Sequence, residues 1–355
     1  MKFKNNISYF RGNNQSISHP AHSRRFPRYA SRHNIKFSDS VKTNFISKLN
    51  IITLSSDLTF WRKKINKNFK IIFDANDPFI LNNDISFKDK FRGLFKYISG
   101  FQKKLELNYR DTYLRTCKES DLVICGHFKQ FEILKKTIKN VVLIPDYGLN
   151  IKIKSKKNFE LSKKDEINIF WEGLGSSFMP FKLIEEIFKP INNQYKFIFH
   201  FVTDLTFFKY GDRFIEKKIK DIARKESPLF FNQFKFYQWS EMMMNETAIN
   251  CDFSIIPLPL DNSLNYWKPE NKLIHMWRMS IPTIVSSIPS YQKVMNDSKL
   301  HFCANNNDQW RALILNLCKN KEIRKQNGIS GKKYVDEFYS DKTIDLLWTN
   351  ALSKL

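Results

Sequence analysis

The sequence predicts an α/β protein of two domains, each built around a mainly parallel β-sheet. The chain has 355 residues, which is longer than one hydrophobic core usually grows. Hydrophobic residues make up 42% of it and aromatic residues 15%, enough apolar surface to offset chain entropy and to exclude a disordered protein. Short β-branched or aromatic runs alternate with helix-length segments, as in βαβ units. The alternation occurs twice, so we expect two similar domains.

The predicted strands fall into two series. They are residues 51–54, 70–73, 122–125 and 141–144, then 167–171, 196–201, 234–237, 253–256 and 283–285. Predicted helices are 181–188 and 213–225 between the later strands, and 309–319, 321–328, 332–338 and 341–348 after them. Between the two series the chain is polar, rich in turn residues and Lys, and without periodicity. We therefore expect a domain boundary near residues 150–165.

The net charge of +24 would attract nucleic acid, an anionic membrane or a phosphorylated substrate, and does not choose among them. It accompanies a general excess of Lys, Asn, Ile and Phe with only 10 Gly, so we give the charge little weight. No nucleic-acid-binding motif is recognised, and we expect no such partner. The five scattered cysteines fit neither a disulfide scaffold nor a zinc site, which favours a reducing, cytoplasmic location.

Neither a signal peptide nor a membrane span is predicted, because no apolar run approaches the length of a transmembrane helix. Peripheral contact with the inner face of a membrane stays open, since the stretch 88–104 carries an apolar stripe among basic residues. The stripe comprises Phe91, Leu94, Phe95, Ile98 and Phe101. The pattern favours the simpler alternative, a helix that packs this stripe against the core.

The segment that is most informative about chemistry spans residues 251–286. A buried strand is followed there by a polar loop and a helix, and Pro269 is suited to the first position of that helix. Free N–H groups of a first helical turn bind anions, and Lys268 and Lys272 lie beside that turn. Together they would neutralise a diphosphate. Spacing alone leaves the alternative open, which is two solvated surface lysines.

These residues resemble the donor-site region of a known family. The run Lys272-Leu-Ile-His-Met-Trp-Arg-Met-Ser-Ile-Pro282 is similar to the pattern Lys-Leu-x-Glu-x-x-x-x-Gly-x-Pro of GT-B glycosyltransferases, especially the retaining family 4. Residues 167–175 resemble the first strand and glycine turn of the family's donor domain. Residues 120–125 and 140–148 resemble its last acceptor-domain strands and the crossing between domains. The likeness covers about residues 120–355.

The resemblance implies a GT-B architecture, in which two Rossmann-like domains face a central cleft and a C-terminal helix packs back on the first domain. It implies an acceptor domain at 1–150, a nucleotide-sugar donor domain at 151–335 and the terminal helix at 336–355. The implied activity transfers a sugar from a nucleotide-sugar to a glycan, lipid-linked or protein acceptor in envelope polysaccharide or glycoconjugate biosynthesis. It would proceed with retention and without a metal or other cofactor.

The resemblance also implies the donor-site residues. They are Gly173, Gly175, Lys182, Lys268, Asn271, Lys272 and His275, with Tyr237 and Trp239 near the nucleotide base. The sequence departs from the family at Trp267 and His275, which stand where two Glu residues contact the sugar and the ribose, and at Ser280, which replaces a Gly. A neutral imidazole still hydrogen-bonds a hydroxyl. The loss of both carboxylates nevertheless leaves the donor open and leaves room for an inactive relative.

In the first domain, the sequence predicts a polar loop from Tyr9 to His19 and through Arg25, which follows a short strand and precedes a helix. The family's corresponding loop borders the donor phosphates and the acceptor, which implies cleft positions for Gly12, His19, Arg24 and Arg25. A flexible loop with surface arginines is the alternative reading of the same residues.

Strand 70–73 leads into Asp74 and Asp77, which resemble an Asp-x-x-Asp pattern that faces the acceptor in some family members. Their spacing differs from the Asp-x-Asp motif that holds a metal, so we expect no metal site. An inverting reaction would require a base, for which Asp77, Asp74, His19 and His127 are candidates. A retaining reaction requires none, because the departing phosphate accepts the proton.

Two other functions stay open beside glycosyl transfer. A GT-B-shaped binding or scaffold protein without catalysis is suggested by Trp267 and His275. A basic nucleic-acid-binding protein is suggested only by charge and by basic and aromatic residues that form no motif.

Overall fold

The structure is a computed structural model that describes residues 6–12, 16–40, 46–61, 68–81, 87–100, 102–146, 151–173, 180–209, 215–261 and 263–355. The chain divides into two compact units. The first consists of Met1–Gly148 together with Ser340–Leu355, and the second of Leu149–Tyr339.

The first unit contains a six-stranded parallel sheet in the order β2-β1-β3-β4-β5-β6. The strands are β1 (Ile7–Phe10), β2 (Ser38–Ser40), β3 (Leu49–Thr53), β4 (Lys70–Ala75), β5 (Leu122–Cys125) and β6 (Val141–Leu143). Strand β5 is apolar and buried along its whole length, as expected for a strand that is covered on both faces. Strand β2 was not predicted, because it is short and polar.

Helices flank this sheet, and the last of them comes from the C-terminus of the chain. They are α1 (Pro20–Ser23), α2 (Phe26–Arg32), α3 (Leu58–Trp61), α4 (Phe87–Ile98), α5 (Tyr109–Glu119), α6 (Phe128–Lys135) and α15 (Asp341–Ser353). Helix α15 begins where the Ser340 hydroxyl accepts the N–H of Thr343, at 3.1 Å.

Helix α15 packs against α2, which confirms that the terminal helix returns to the first domain. The Trp348 side chain is 1% exposed and meets the ring of Phe26 edge-on, with centroids 5.8 Å apart. It also stacks on Tyr29, at 6.0 Å. At the edge of this contact, the guanidinium of Arg28 lies 3.1 Å from the carboxylate of Asp341. Burial of aromatic side chains therefore holds α15 against α2, and the ion pair between Arg28 and Asp341 adds to this contact.

The second unit contains a six-stranded parallel sheet in the order β11-β8-β7-β12-β13-β14. The strands are β7 (Glu166–Glu172), β8 (Lys196–Thr203), β11 (Phe234–Gln238), β12 (Phe253–Ile256), β13 (Thr283–Ser286) and β14 (Cys303–Ala304). A separate antiparallel hairpin consists of β9 (Thr206–Lys209) and β10 (Ile215–Lys218). The α/β class with two parallel sheets is thus confirmed.

The helices of the second unit correct two predictions. They are α7 (Phe181–Phe188), α8 (Ile219–Glu226), α9 (Glu241–Asn250), α10 (Ser263–Tyr266), α11 (Asn271–Arg278), α12 (Pro289–Asp297), α13 (Asn307–Lys319) and α14 (Lys321–Phe338). The helix predicted over 213–225 was wrong in its first part, because strand β10 pairs with β9 there.

The two helices predicted at 321–328 and 332–338 are one helix, α14. Gly328 does not end it, because this residue lies against the backbone of Ser280, where a Cβ atom would collide with the carbonyl oxygen. Ser280 itself has a φ of 58°, in the left-handed region that Gly adopts more easily. Close packing between α14 and the turn at Ser280 therefore overrides the local preference of both residues.

A cluster of phenylalanines forms the core on one side of this second sheet. Phe181 of α7 meets Phe201 of β8 with ring centroids 5.0 Å apart, and Phe201 lies 5.0 Å from Phe234 of β11. All three side chains are buried. The high Phe content noted in the sequence thus packs largely as edge-to-face pairs inside the protein.

In the part of the chain that the structure describes, none of the helices is both long enough and apolar enough to cross a bilayer.

We expect Trp348→Ala to lower the free energy of unfolding by about 3–5 kcal/mol, because it removes a fully buried aromatic side chain. Urea unfolding followed by circular dichroism measures this. Leu346→Ala on the same helix is the control, since Leu346 is 59% exposed and its loss should cost less than about 0.5 kcal/mol. Equal losses in the two variants would contradict the packing of α15 described above.

Candidate functional site

The second sheet has a topological switch point between β7 and β12. The chain runs from β7 to β8 and β11 on one side, then places β12 on the other side of β7. Ligands of open parallel sheets bind at the carboxyl ends of the strands at such a point. The residues at these ends are therefore the first candidates for a binding site.

Lys272 of α11 reaches the carboxyl end of β7. Its ammonium donates a hydrogen bond to the main-chain oxygen of Glu172, at 2.7 Å, and lies 4.7 Å from the ring centroid of Trp171. Burial lowers the pKa of Lys272, an effect that the nearby charge of Glu172 opposes. The cation is thus held in place by a carbonyl and an aromatic face, an arrangement that the sequence did not reveal.

Gly173 follows β7 directly and leaves room for this cation. A Cβ atom there would lie 2.6 Å from the Lys272 Nζ atom and 2.5 Å from the Trp171 ring. Its N–H donates to the main-chain oxygen of Val202, at 3.2 Å. The small residue expected at this turn is therefore required by the close approach of Lys272 and Trp171. Gly175 lies outside the described residues.

Lys268 supplies a second cation next to Lys272. Burial, and then the charge of Lys272, lowers the pKa of Lys268 from the usual 10.5 to about 8. Helix α11 begins at Asn271, with Glu270 as its N-cap. The prediction that Pro269 takes the first helical position was therefore wrong, and it is Asn271 and Lys272 that start the helix. Two mutually repelling lysines at the start of a helix are suited to an anionic ligand.

The two residues that depart from the family pattern lie on either side of this helix start. His275 is one turn after Lys272 on α11, and its side chain is 3% exposed. Trp267 precedes the helix, and its half-buried ring meets Tyr266 edge-on at 5.0 Å. Neither position carries a carboxylate. The contact that the structure adds is the main-chain oxygen of Glu172 at the Lys272 ammonium, which was not predicted although Glu172 immediately precedes Gly173.

The two residues expected near the nucleotide base differ in their surroundings. The Tyr237 hydroxyl lies 3.1 Å from Nδ1 of His200, whose Nε2 lies 2.9 Å from the Asn168 side-chain oxygen. Burial lowers the pKa of His200 to about 4, so this row across three strands is uncharged at neutral pH. The main-chain N–H of Trp239 donates to the main-chain oxygen of Thr203, the last residue of β8, at 3.0 Å. Trp239 thus lies at the edge of the sheet where the strands have their carboxyl ends, whereas the Tyr237 hydroxyl is engaged by His200 within the sheet.

Lys182 differs from Lys268 and Lys272 in its exposure to solvent. Its side chain is 77% exposed on α7, with its ammonium 4.0 Å from the carboxylate of Glu186 one turn later. The buried side of α7 faces the phenylalanine core instead. Lys182 therefore serves as a surface lysine for comparison.

The first sheet also has a switch point, between β1 and β3, and a cavity of about 440 Å³ lies at the carboxyl ends of these strands and of β4. Its lining includes Gly12 and residues 53–56, and the aromatic rings of Phe79, Phe95 and Tyr109. The Gly12 N–H donates to the Ser55 hydroxyl, at 3.1 Å. Aromatic rings beside hydroxyl and carboxylate groups suit a polar ligand with an apolar face.

Asp74 and Asp77 both line this cavity, and they differ in burial. Arg25 donates to both carboxylate oxygens of Asp74, at 3.1 and 2.6 Å, and to the main-chain oxygen of Ile144, at 2.7 Å. The Arg25 and Asp74 side chains are 1% and 2% exposed. Asp77 is exposed. Arg25 is therefore a buried partner of Asp74, and Asp77 is the carboxylate that faces solvent.

The candidate histidines act locally as helix caps. Nδ1 of His19 accepts the N–H of Ala21 at the start of α1, at 3.2 Å, and Nδ1 of His127 accepts the N–H of Lys129 at the start of α6, at 3.1 Å. Burial lowers the pKa of His127 to about 4. Such caps satisfy N–H groups that a helix leaves without partners.

His22 lines the cavity, and the sequence analysis missed it. Its Nδ1 lies 3.0 Å from the Tyr9 hydroxyl. Burial, with a smaller contribution from His19, lowers the pKa of His22 to about 4. Arg24 is buried beside it in the chain, and its charge opposes the rise in the pKa of Asp146 that burial causes. The sequence signal that could have identified His22 was its position three residues after His19, at the start of a helix.

No family model and no curated protein matches this sequence. Solved structures do match it. HepE of Anabaena in complex with UDP-glucose has a TM-score of 0.65 at 12% identity, over 98% of this chain and 99% of that chain. The chain has the GT-B fold.

Two further structures agree on the GT-B fold. Sucrose-phosphate synthase from Thermosynechococcus elongatus has a TM-score of 0.59 at 12% identity, over 93% of this chain and 76% of that chain. TarM of S. aureus, in complex with fondaparinux, α-GlcNAc-glycerol and UDP, has a TM-score of 0.57 at 12% identity over 85% of this chain. The chain spans 55% of the length of TarM.

Arg25→Met should lower the free energy of unfolding by about 3–5 kcal/mol, because it leaves the Asp74 carboxylate buried without its partner. The double variant Arg25→Met/Asp74→Leu should recover much of this loss, since neither charge of the pair then remains buried. Urea unfolding of both variants measures the difference. A double variant that is no more stable than the single one would show that the pair does not determine stability here.

Proposed function

We propose that this protein is a glycosyltransferase that moves a sugar from a nucleotide-sugar to a glycan, lipid-linked or protein acceptor, in envelope polysaccharide or glycoconjugate biosynthesis. The observation that carries the proposal is the pair Lys268 and Lys272 at the start of α11, beside the switch point of the second sheet. HepE in complex with UDP-glucose and TarM in complex with UDP share the fold, which supports a nucleoside diphosphate as the ligand.

The two lysines would bind the diphosphate of the donor. A bound dianion relieves the repulsion between the two ammonium groups, and the first-turn N–H groups of α11 add donors. Charge builds on the diphosphate as the sugar departs, so the same groups stabilise the departing group more strongly than the intact donor. Trp171 and Glu172 would hold Lys272 in position for this role.

We further propose retention, without a metal. The bond between the anomeric carbon and the diphosphate oxygen breaks, the acceptor oxygen bonds to that carbon on the same face, and its proton passes to the departing phosphate. His19 and His127, two of the candidate bases, are used as helix caps, which favours a reaction that needs no protein base. Asp77 is the candidate base if the reaction inverts.

We propose a cytoplasmic location with peripheral contact at the inner face of a membrane. The five cysteines are all free thiols. Burial raises the pKa of the Cys117 thiol to about 12, which makes it unreactive. Free, unreactive thiols suit a reducing compartment.

A binding or scaffold protein without catalysis is the second candidate function. It is favoured by Trp267 and by the buried imidazole of His275, which stand at the positions of two family carboxylates. Such a protein could still bind a nucleoside diphosphate through Lys268 and Lys272. Transfer assays, and not binding, separate the two functions.

UDP should raise the thermal stability of the protein, and Lys272→Met should require at least about tenfold more UDP for the same shift. Methionine keeps the packing of the aliphatic stem while it removes the charge. Lys182→Met is the matched control, because Lys182 is a surface lysine of the same unit. Thermal shifts with UDP, GDP, ADP, CMP and dTDP, with and without Mg²⁺, measure selectivity. No shift with any nucleotide would contradict the donor site.

Binding of UDP should weaken as pH rises through the pKa of Lys268, which lies at about 8 in the free protein. Below that pH the ammonium is charged and attracts the diphosphate, and above it the neutral amine does not. Between about pH 7 and pH 9 the dissociation constant should rise by up to about tenfold, measured by calorimetry. Lys268→Met should bind weakly and without this pH dependence. A parallel pH dependence in both proteins would assign the titration to another group.

A further inference from the structure

Exposed apolar side chains are concentrated in one short stretch of the first unit. Thirteen large hydrophobic side chains are exposed among the described residues, and six of them lie within residues 91–107. They are Phe91, Phe95, Tyr97, Ile98, Leu105 and Leu107. Scattered exposed hydrophobics are normal, whereas a contiguous group marks an interaction surface.

Helix geometry gathers three of these side chains into one stripe. Phe91, Phe95 and Ile98 are four and three positions apart on α4, so they project from the same face of the helix. They are 56%, 59% and 74% exposed, respectively. The prediction that this stripe packs against the core was therefore wrong for these three residues.

The segment after α4 brings the other apolar residues next to the helix. Gly93 lies so close to the following segment that a Cβ atom there would collide with the carbonyl oxygen of Glu106. This contact places Leu105 and Leu107, the neighbours of Glu106 in sequence, beside α4. We call α4 together with residues 105–107 the apolar surface.

The apolar surface is bordered by positive charge. Residues 91–107 include four basic residues and one acidic residue, Glu106. The ammonium of Lys96 lies 3.8 Å from the ring centroid of Tyr109, and that of Lys103 lies 5.3 Å from the ring centroid of Phe60. Apolar side chains flanked by lysines are complementary to an anionic bilayer, which offers hydrocarbon beneath negative headgroups.

We propose that the apolar surface docks on an anionic lipid membrane. Phe91, Phe95 and Ile98 enter the boundary between headgroups and acyl chains, and the neighbouring lysines contact the headgroups. Charge complementarity favours this occupant over a second copy of the chain, because two copies would bring two basic borders together.

This surface adjoins the cavity of the first unit, since Phe95 and Lys96 belong to both. Docking would therefore hold the cavity near the headgroup layer, where the glycan of a lipid-linked acceptor lies. This consequence rests on the proposed glycosyl transfer, whereas the docking itself does not.

The test is sedimentation of the full chain with vesicles of phosphatidylcholine alone or mixed with phosphatidylglycerol. We expect binding to the anionic vesicles, little to the neutral ones, and weaker binding at high salt. Phe91→Ser/Ile98→Ser should lower the partition coefficient at least about tenfold. Leu229→Ser/Met242→Ser is the matched control, because it removes two exposed apolar side chains from the second unit and should bind like the wild type.

Three results would overturn the proposal. They are no binding of the wild type to anionic vesicles, equal binding of both double variants, or self-association of the wild type that Phe91→Ser/Ile98→Ser abolishes while vesicles are not bound. Phe91→Ser/Ile98→Ser should retain the thermal shift with UDP, which shows that it folds. A protein that binds vesicles and shows no shift with any nucleotide would contradict the proposed function and leave the docking intact.

Discussion

The candidate donor chemistry depends on the pairing of β7 in parallel with β8 on one side and β12 on the other. This pairing puts three carboxyl ends at one edge of the sheet and opens a switch point between β7 and β12. It carries Trp171, Glu172 and Gly173 to that edge. Helix α11 then delivers Lys272 to the same place from about 100 residues further along the chain. Without this pairing the lysine would have neither its carbonyl nor its aromatic partner.

Two half-buried lysines side by side lower the free energy of unfolding of the ligand-free protein. Burial and mutual repulsion lower the pKa of Lys268 to about 8. Keeping both lysines charged at this position therefore costs folding free energy, because water would solvate the charges better. Groups with perturbed pKa values cluster at functional sites, where a bound ligand can supply the opposite charge. The diphosphate of the proposed donor would supply two negative charges to this pair at the start of α11.

In the first unit, by contrast, a buried positive charge is paired with a buried negative one. Arg25 and Asp74 neutralise each other in the interior, and Arg25 also satisfies the carbonyl of Ile144. This bond set joins the segment before α2 to β4 and to the end of β6, below the cavity. Buried hydrogen bonds thus tie Asp74 in the cavity wall to the chain around it, and exposed groups of the lining, such as Asp77 and Phe95, are available to a ligand.

The sequence by itself determined the parallel α/β class, most strand positions and the lysines at the start of α11, because period and turn residues are local properties. Strands 122–125 and 253–256 agree with β5 and β12 residue for residue. Contacts between distant segments decided the rest: α14 continues through Gly328 because Ser280 lies against it, and His127 caps a helix. Trp171 holds Lys272, and Phe91 and Ile98 remain exposed. Only the tertiary structure decides these points, because burial and the partners of a charge depend on residues far away in the chain.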